Sequence, residues 1–528
     1  MRRAGILLPV SSLPSLYGIG SFSESARRFV DLLERTGQSF WQILPLGPTG
    51  YGDSPYQAFS AFAGNPYYID PDALIEEGLL EKSETEGIDF GQGNPERVDY
   101  QKLYRGRFPL LRKACERSRF EEEEAYRQFY RENAFWLDDY VLFMAIKDSL
   151  GGISWYEWPD WLRLRQFESV PGKARQQGAA ERDIWENDFS LDSDLSGDIR
   201  FYCFLQYQFM KQWMSLKTYA NSRGIRIIGD IPVYVSADSS DAWACGELFQ
   251  FNEDHRPDAV AGCPPDAFSV NGQLWGNPLY DWAYHEKTKF GWWKKRIAHC
   301  LKLYDVVRID HFRGFDEYYS IPASAATAAE GHWEKGPGMR LFHALKENPA
   351  VTEGSIIAED LGFLTPSVIE LVRETGFAGM KVIEFAFDSR DTGSGYMPHS
   401  YIPNTVVYTG THDNQTLCAW YGELVPSDRR LADDYLGFTP ETTPEERNRA
   451  FIRLAMESVS DTCVIPMQDY LVLGSEARMN RPATLDGNWT WRMTDHAVDE
   501  RLSDWIRRIT QITGRIRQTC EAEWAGID

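Results

Sequence analysis

What this chain lacks narrows its function before any motif is read. Among 528 residues there are 8 cysteines, scattered from Cys115 to Cys520 with no C-x-x-C pair. That argues against thiolate metal and redox motifs and points to free thiols in a reducing compartment. No apolar run approaches the length of about 18 residues that a membrane span needs. The opening MRRAGILLPVSSLP imitates a secretion signal, but its apolar run, Ala4 to Leu8, stops at Pro9 and is too short for one. A cytoplasmic location is therefore expected. Basic residues are outnumbered, 55 Lys plus Arg against 78 Asp plus Glu, for a formal charge of −23. So acidic a surface repels phosphate backbones and anionic lipid, which argues against nucleic-acid and membrane partners and suits a neutral substrate. The histidines fall into neither H-x-H nor H-E-x-x-H spacing, so a zinc site is disfavoured. Internal repeats and low-complexity tails are absent as well.

What is present is ordinary globular material, 43% hydrophobic and 25% charged. Length alone suits three or four domains of roughly 150 residues, or one α/β barrel with insertions. Aromatics reach 14%, including 18 Trp. They suit a core, and where exposed they suit platforms for the C–H faces of sugars. Short apolar runs begin at Ala4, Ser39, Ile225, Val306, Ser355, Gly379, Thr405 and Cys463. Their near-continuous apolar character predicts parallel strands covered on both faces. Amphipathic helical patterns lie between them. One opens at Ser23 and closes at Gly37; another has Thr365 as cap, Pro366 at its first position and Gly376 past its end. The alternation predicts an α/β fold, a (β/α)8 TIM barrel with large, mainly helical insertions and no separate C-terminal β-domain. A doubly wound sheet is the structural alternative. The expected organisation is one catalytic barrel over 1–528, a helical insertion over roughly 65–200, and an aromatic substrate-binding loop over roughly 236–282.

Chemistry in such a barrel lies at the C-terminal ends of strands. Those ends carry Asp230, Asp310, Glu359, Asp360, Asp388, His412, Asp413 and Asp469. Any single acid there serves equally well as a helix N-cap or a salt-bridge partner. As a converging set they suit either metal chelation, which for a hard cation needs about six oxygen ligands, or a carboxylate pair flanking a glycosidic bond. In DVVRIDHFRGF, Arg308 and Asp310 are two apart on a strand and share a face. A guanidinium beside Asp310 favours the ionised form that a nucleophile needs. The plain alternative is an ion pair filling the barrel top. Glu359 follows the apolar SIIA, a setting that favours a protonated general acid. Arg313 acquires no role from the sequence.

The motifs RIDHFRGF, AEDLG and GTHDN occur in order with TGYGDSPYQ, GDIPVYV, GQLWGNPLYDW and ARMNRPAT, between Gly5 and about Trp491. Together they resemble the amylomaltases, the 4-α-glucanotransferases or disproportionating enzymes related to the α-amylase superfamily, in the short form without extra N-terminal domains. The resemblance implies a retaining double displacement, with Asp310 as nucleophile, Glu359 as general acid/base and Asp413 as the third carboxylate. It also implies that Ser54, Tyr56, Asp230, Trp275, Arg308, His311, Asp388, His412 and Asn480 line the sugar subsites. Neither a cofactor nor a metal is implied. The expected partners are malto-oligosaccharides and α-1,4-glucans derived from starch or glycogen, with glucose as an acceptor. A retaining α-1,4-glucan hydrolase and a catalytically inactive glucan-binding protein are the alternatives. In CPPDAFS, Ala267 stands where the resemblance implies a bulkier residue on the acceptor side. The aromatic cluster from Trp155 to Trp161 suits either buried packing or a remote glucan contact.

Overall fold

Each of the apolar runs becomes a strand, and all of them pair in parallel. The computed structural model describes residues 2–50, 52–166, 195–265, 271–362, 364–482, 484 and 486–517. In chain order its strands are β1 (Arg3–Leu7), β2 (Phe40–Gln42), β3 (Arg226–Pro232), β4 (Ala259–Cys263), β5 (Gln273–Pro278) and β6 (Val306–Asp310). Then come β7 (Glu317–Pro322), β8 (His332–Lys335), β9 (Ile356–Ala358), β10 (Gly379–Val382), β11 (Thr405–Tyr408) and β12 (Thr462–Pro466). Eight of these form one sheet in the order β10-β11-β12-β1-β2-β3-β6-β9. Ile357 in β9 bridges in parallel to Ala378 at the foot of β10, so the sheet closes on itself. Closure excludes the doubly wound alternative and gives the (β/α)8 barrel.

Alternation along the strands builds two separate apolar layers. Leu7, Phe40, Ile228, Val306, Met380, Val406 and Val464 pack together inside the barrel. Their neighbours Ile6, Trp41, Ile227, Val307, Val407 and Ile465 face outward into the large cluster shared with the helices. Residues 306, 308 and 310 lie on one face, so the inward side of β6 changes from Val306 to Arg308 to Asp310 as it reaches the mouth.

The helices start and stop where local chemistry dictates. Glu24–Arg35 follows Ser23 in extended backbone. Pro366–Thr375 is capped by Thr365, whose hydroxyl accepts from the Val368 amide, and ends at Gly376 with φ 73°. Pro444–Glu457 opens with a reciprocal capping box between Thr443 and Glu446. Between β2 and β3 lie the long helices Tyr100–Arg117, Glu124–Ser149 and Ser196–Ser222. Within this segment Trp155 and Trp158 are buried, as packing requires.

One feature departs from the sequence reading. β4 and β5, from within 236–282, pair with β7 and β8 to form a second, antiparallel sheet in the order β5-β4-β7-β8. Only the turn His311–Asp316 separates β6 of the barrel from β7 of this sheet. Arg313 on that turn stacks 4.0 Å above the Trp333 ring of β8, which gives it the role the sequence left open. Ala267 lies outside the described residues. Among the described residues no helix is long and apolar enough to cross a membrane.

Candidate active site

At the barrel mouth the charges of the RID stretch form one connected network. Arg308, buried on β6, donates from Nη1 to both carboxylate oxygens of Asp230 at 2.9 and 2.8 Å. Its Nη2 donates to Asp310 Oδ1 at 2.9 Å. Register explains the grip, because Asp230 of β3 is the cross-strand partner of Arg308. Burial works against the guanidinium charge, yet Asp230 and then Asp310 hold its pKa well above the ordinary value. Asp230 also accepts from the Tyr56 hydroxyl at 2.9 Å.

Asp230 is thereby corrected from the hydroxyl-binding position expected of it. Its exposure is 0% and its oxygens are committed to Arg308 and Tyr56. Asp310 differs: its side chain keeps 31% exposure and faces the cleft.

Glu359 stands beside Asp310 because β6 and β9 are parallel neighbours. The Glu359 amide donates to the Ile309 carbonyl at 3.1 Å, and the Phe312 amide donates to the Glu359 carbonyl at 3.1 Å. Its carboxylate accepts from the His311 amide at 2.6 Å and the Leu361 amide at 2.8 Å. Burial, and then the charge of Asp310, push its pKa up to about 7, with Arg308 and the two amides pulling the other way. Two neighbouring carboxyl groups thus sit in different environments.

His311 occupies the left-handed region at φ 52°. That turn aims its amide at Glu359 and its ring at the Trp275 ring of β5, 4.8 Å away and edge-on. Burial lowers the imidazole pKa to about 4, so the ring is neutral at pH 7. Its Nε2 is buried without a hydrogen-bond partner. Trp275 spends its indole N–H on Gln273 at 3.1 Å, which leaves the ring faces for packing.

The turn after β11 supplies the third carboxylate. His412 Nε2 lies 3.4 Å from Asp413 Oδ2, and Asn480 donates to Asp413 Oδ1 at 2.6 Å. Burial opposes a charge on His412, but Asp413 outweighs it and raises the pKa. Burial alone would raise Asp413; His412 and then Asn480 bring it down to about 2. Even so, its side chain retains 45% exposure toward the cleft. Tyr56 stacks on His412 with ring centroids 4.9 Å apart, closing this group against the Asp230–Arg308 pair. Ser54 accepts from the Tyr56 amide at 3.3 Å and so shapes the turn that presents Tyr56.

Two strand-end acids differ from the sequence expectation. Asp388 does not join the cluster: β10 ends at Val382, and Asp388 lies on a later exposed loop, clamped by Arg390 at 2.6 Å. The acid that does follow β10 is Glu384, in the single turn Ile383–Phe385. It is buried behind the Thr411–Asn414 turn, and burial, with Asp469 nearby, pushes its pKa well above the ordinary value. Its signal in the sequence is its place directly after VI in GMKVIEF. Asp360 and Asp469 are structural. Asp360 accepts from the Met380 amide at 2.6 Å, and Asp469 from Thr409 Oγ1 at 2.5 Å and the Leu417 amide at 2.8 Å. Among the described residues, no group of three or more His, Cys, Asp or Glu side chains is arranged to hold a metal ion.

Comparison with known proteins gives a consistent result. A family model described as 4-alpha-glucanotransferase matches residues 8–498. A 4-alpha-glucanotransferase of Clostridium butyricum is 47% identical over 509 residues, which cover 96% of this chain and 99% of that protein. The 4-alpha-glucanotransferase of Thermus thermophilus is 43% identical over 523 residues, covering 98% and 99%. The solved structure of an amylomaltase from Streptococcus agalactiae in complex with acarbose superposes with a TM-score of 0.89 at 41% identity, covering 98% of this chain and 100% of that one.

Proposed function

The chain belongs to the 4-α-glucanotransferase family, and on that premise we propose that Asp310, Glu359 and Asp413 carry its reaction in this cleft. The enzyme transfers α-1,4-glucan segments from a malto-oligosaccharide or a starch- or glycogen-derived donor to the 4-hydroxyl of a second glucan or of glucose. An Asp310 oxygen attacks the anomeric carbon of the donor, and the bond to the leaving O4 breaks as Glu359 delivers its proton there. The acceptor 4-hydroxyl then attacks the same carbon from the opposite face. Glu359 takes its proton and the ester to Asp310 breaks. Two inversions give net retention.

One observation carries this assignment: adjacent carboxyl groups held in unlike environments. Arg308 donates to Asp310 at 2.9 Å, while burial and then the Asp310 charge raise the Glu359 pKa to about 7, where it can carry a proton. Asp413, with His412 and Asn480, is the carboxylate for donor-sugar hydroxyls. Trp275, edge-on to the His311 ring, lines the acceptor side, and His311 with Tyr56 and Ser54 lines the donor side. Asp230 acts through Arg308 rather than on the sugar. The free cysteines among the described residues support a cytoplasmic location.

Maltotriose distinguishes transfer from hydrolysis. The expected outcome is a ladder of longer and shorter sugars, glucose included, with nearly constant total reducing ends. A steady rise in reducing ends identifies a hydrolase instead. Glucan binding with no turnover identifies a binding protein.

A further inference from the structure

Away from the cleft, a cavity of about 380 Å³ opens between the helices Leu417–Glu423, Pro426–Leu436 and Pro444–Glu457. Small-molecule pockets run from about 300 to 1,000 Å³. Arg429 lines the cavity from the second helix and Arg447 from the third. Both guanidinium groups lie against the Tyr421 ring, at 5.4 and 5.0 Å from its centroid.

In a chain of net charge −23, arginines readily find carboxylates. The neighbours do: Arg449 pairs with Glu445 and Arg453 with Glu457. Among the described residues Arg429 and Arg447 form no ion pair. Arg429 donates only to the carbonyls of Tyr421 and Gly422, at 3.4 and 2.6 Å. Arg447 makes no hydrogen bond among the described residues. The Nε of each is buried without a partner. The Tyr421 hydroxyl donates to Asp433 at 2.7 Å, and among the described residues neither guanidinium is hydrogen-bonded to it.

Two cations facing one cavity repel each other unless an anion sits between them. Buried N–H groups with no acceptor are themselves destabilising. A guanidinium fork matches the oxygens of a phosphate, and the aromatic walls of Tyr421 and Phe451 leave room beside it for a small organic group. We infer that this cavity binds a phosphate dianion, free or as the head of a small phosphate ester, between Arg429 and Arg447. The site lies outside the catalytic cleft and does not depend on the transfer reaction.

Calorimetric titration of the full chain tests this, with inorganic phosphate in one arm and a hexose phosphate in the other. Ionic strength is held constant with chloride, and saturating maltotriose occupies the cleft. Saturable one-to-one binding is expected, weakened about tenfold or more in Arg447→Gln, the effect of losing about 1.4 kcal/mol. Transfer from maltotriose without phosphate should stay near wild type in that variant, which also reports that it is folded. Should it fail to fold, Arg447→Lys keeps the charge and loses the fork, and is expected to weaken binding as well. Equal affinity in the two arms identifies the free ion as sufficient; tighter binding of the ester identifies the ester as the ligand. Absence of saturable binding by wild type in both arms overturns the proposal. So does binding that a folded Arg447 variant leaves unchanged.

Discussion

Asp310 and Glu359 are the same functional group in one cleft, and a guanidinium on one side makes them different. The first chemical step needs a proton on Glu359, so kcat/KM for maltotriose should fall as pH rises through about 7. Glu359→Gln should remove that limb and lower kcat/KM about 10²–10⁴-fold. A donor such as α-glucosyl fluoride, whose leaving group needs no proton, should recover most of the first step in this variant. A limb near pH 7 that persists in Glu359→Gln would assign the proton elsewhere. Asp230 makes a different prediction because it touches Arg308 and not the cleft. Asp230→Asn leaves a buried guanidinium short of its partner, a loss of about 3–5 kcal/mol for a broken buried pair. Chemical denaturation should register it. Turnover should fall while the maltotriose KM changes less than about twofold, the pattern of a group that acts on the transition state through another residue. Such distinctions were only half legible in the sequence. Acids following apolar runs are visible in the letters. Whether an acid faces the cleft or a neighbouring strand depends on register, which placed Asp230 under Arg308 only once the barrel had closed.

Among the elements, the barrel strands were legible and the second sheet was not. Runs such as VVRID and TVVY are apolar on both faces, as buried parallel strands must be. β4 and β5, AVAGC and QLWGNP, carry glycine and proline and lack clean alternation. β4 also finds β7 only across the intervening β5 and β6, a pairing that no local signal announces. The reading of GMKVIEFAFD failed for a related reason. Its apolar content runs on to Asp388, but strand pairing stops at Val382 and the chain turns at Ile383. A prediction belongs to β3. An added methyl at Gly229 would meet the Tyr304 ring at 2.1 Å, so Gly229 is the residue that lets the strand lie flat on that side chain. Gly229→Ala should destabilise the fold by about 1–3 kcal/mol. By displacing the adjacent Asp230 it should also lower activity; an unchanged denaturation midpoint would show that Tyr304 moves aside freely.

At the scale of the molecule, the end of the barrel opposite the cleft is sealed by arginines that bind only backbone. Arg515, fully buried, donates to the carbonyls of Met456, Arg3, Asp461, Ser458 and Ser460. Arg2 adds the carbonyls of Thr513, Ser458 and Met456. Arg515→Met should cost at least about 3 kcal/mol, because it strands several buried acceptors at once. The maltotriose KM, set at the far end, should not change while the protein stays folded. Thermal unfolding and kinetics measured on the same sample separate the two effects. Among the described residues, the opposite end holds the only short joint between the two sheets, the turn His311–Asp316. It is stiff: Phe312 and Phe315 are fully buried, and Phe312 stacks on Phe342 at 5.0 Å. Its first residue touches Trp275 with its ring and Glu359 with its amide. Thermodynamic linkage then makes the two contacts reciprocal. On the proposed roles, an acceptor that shifts Trp275 should change the proton affinity of Glu359, and the ionisation of Glu359 should change the affinity for acceptor by the same factor. The apparent KM for glucose as acceptor should therefore vary with pH across the neutral range. Such a dependence would make the joint a sensor, informing the base that must activate the incoming hydroxyl, through one amide, that the hydroxyl has arrived.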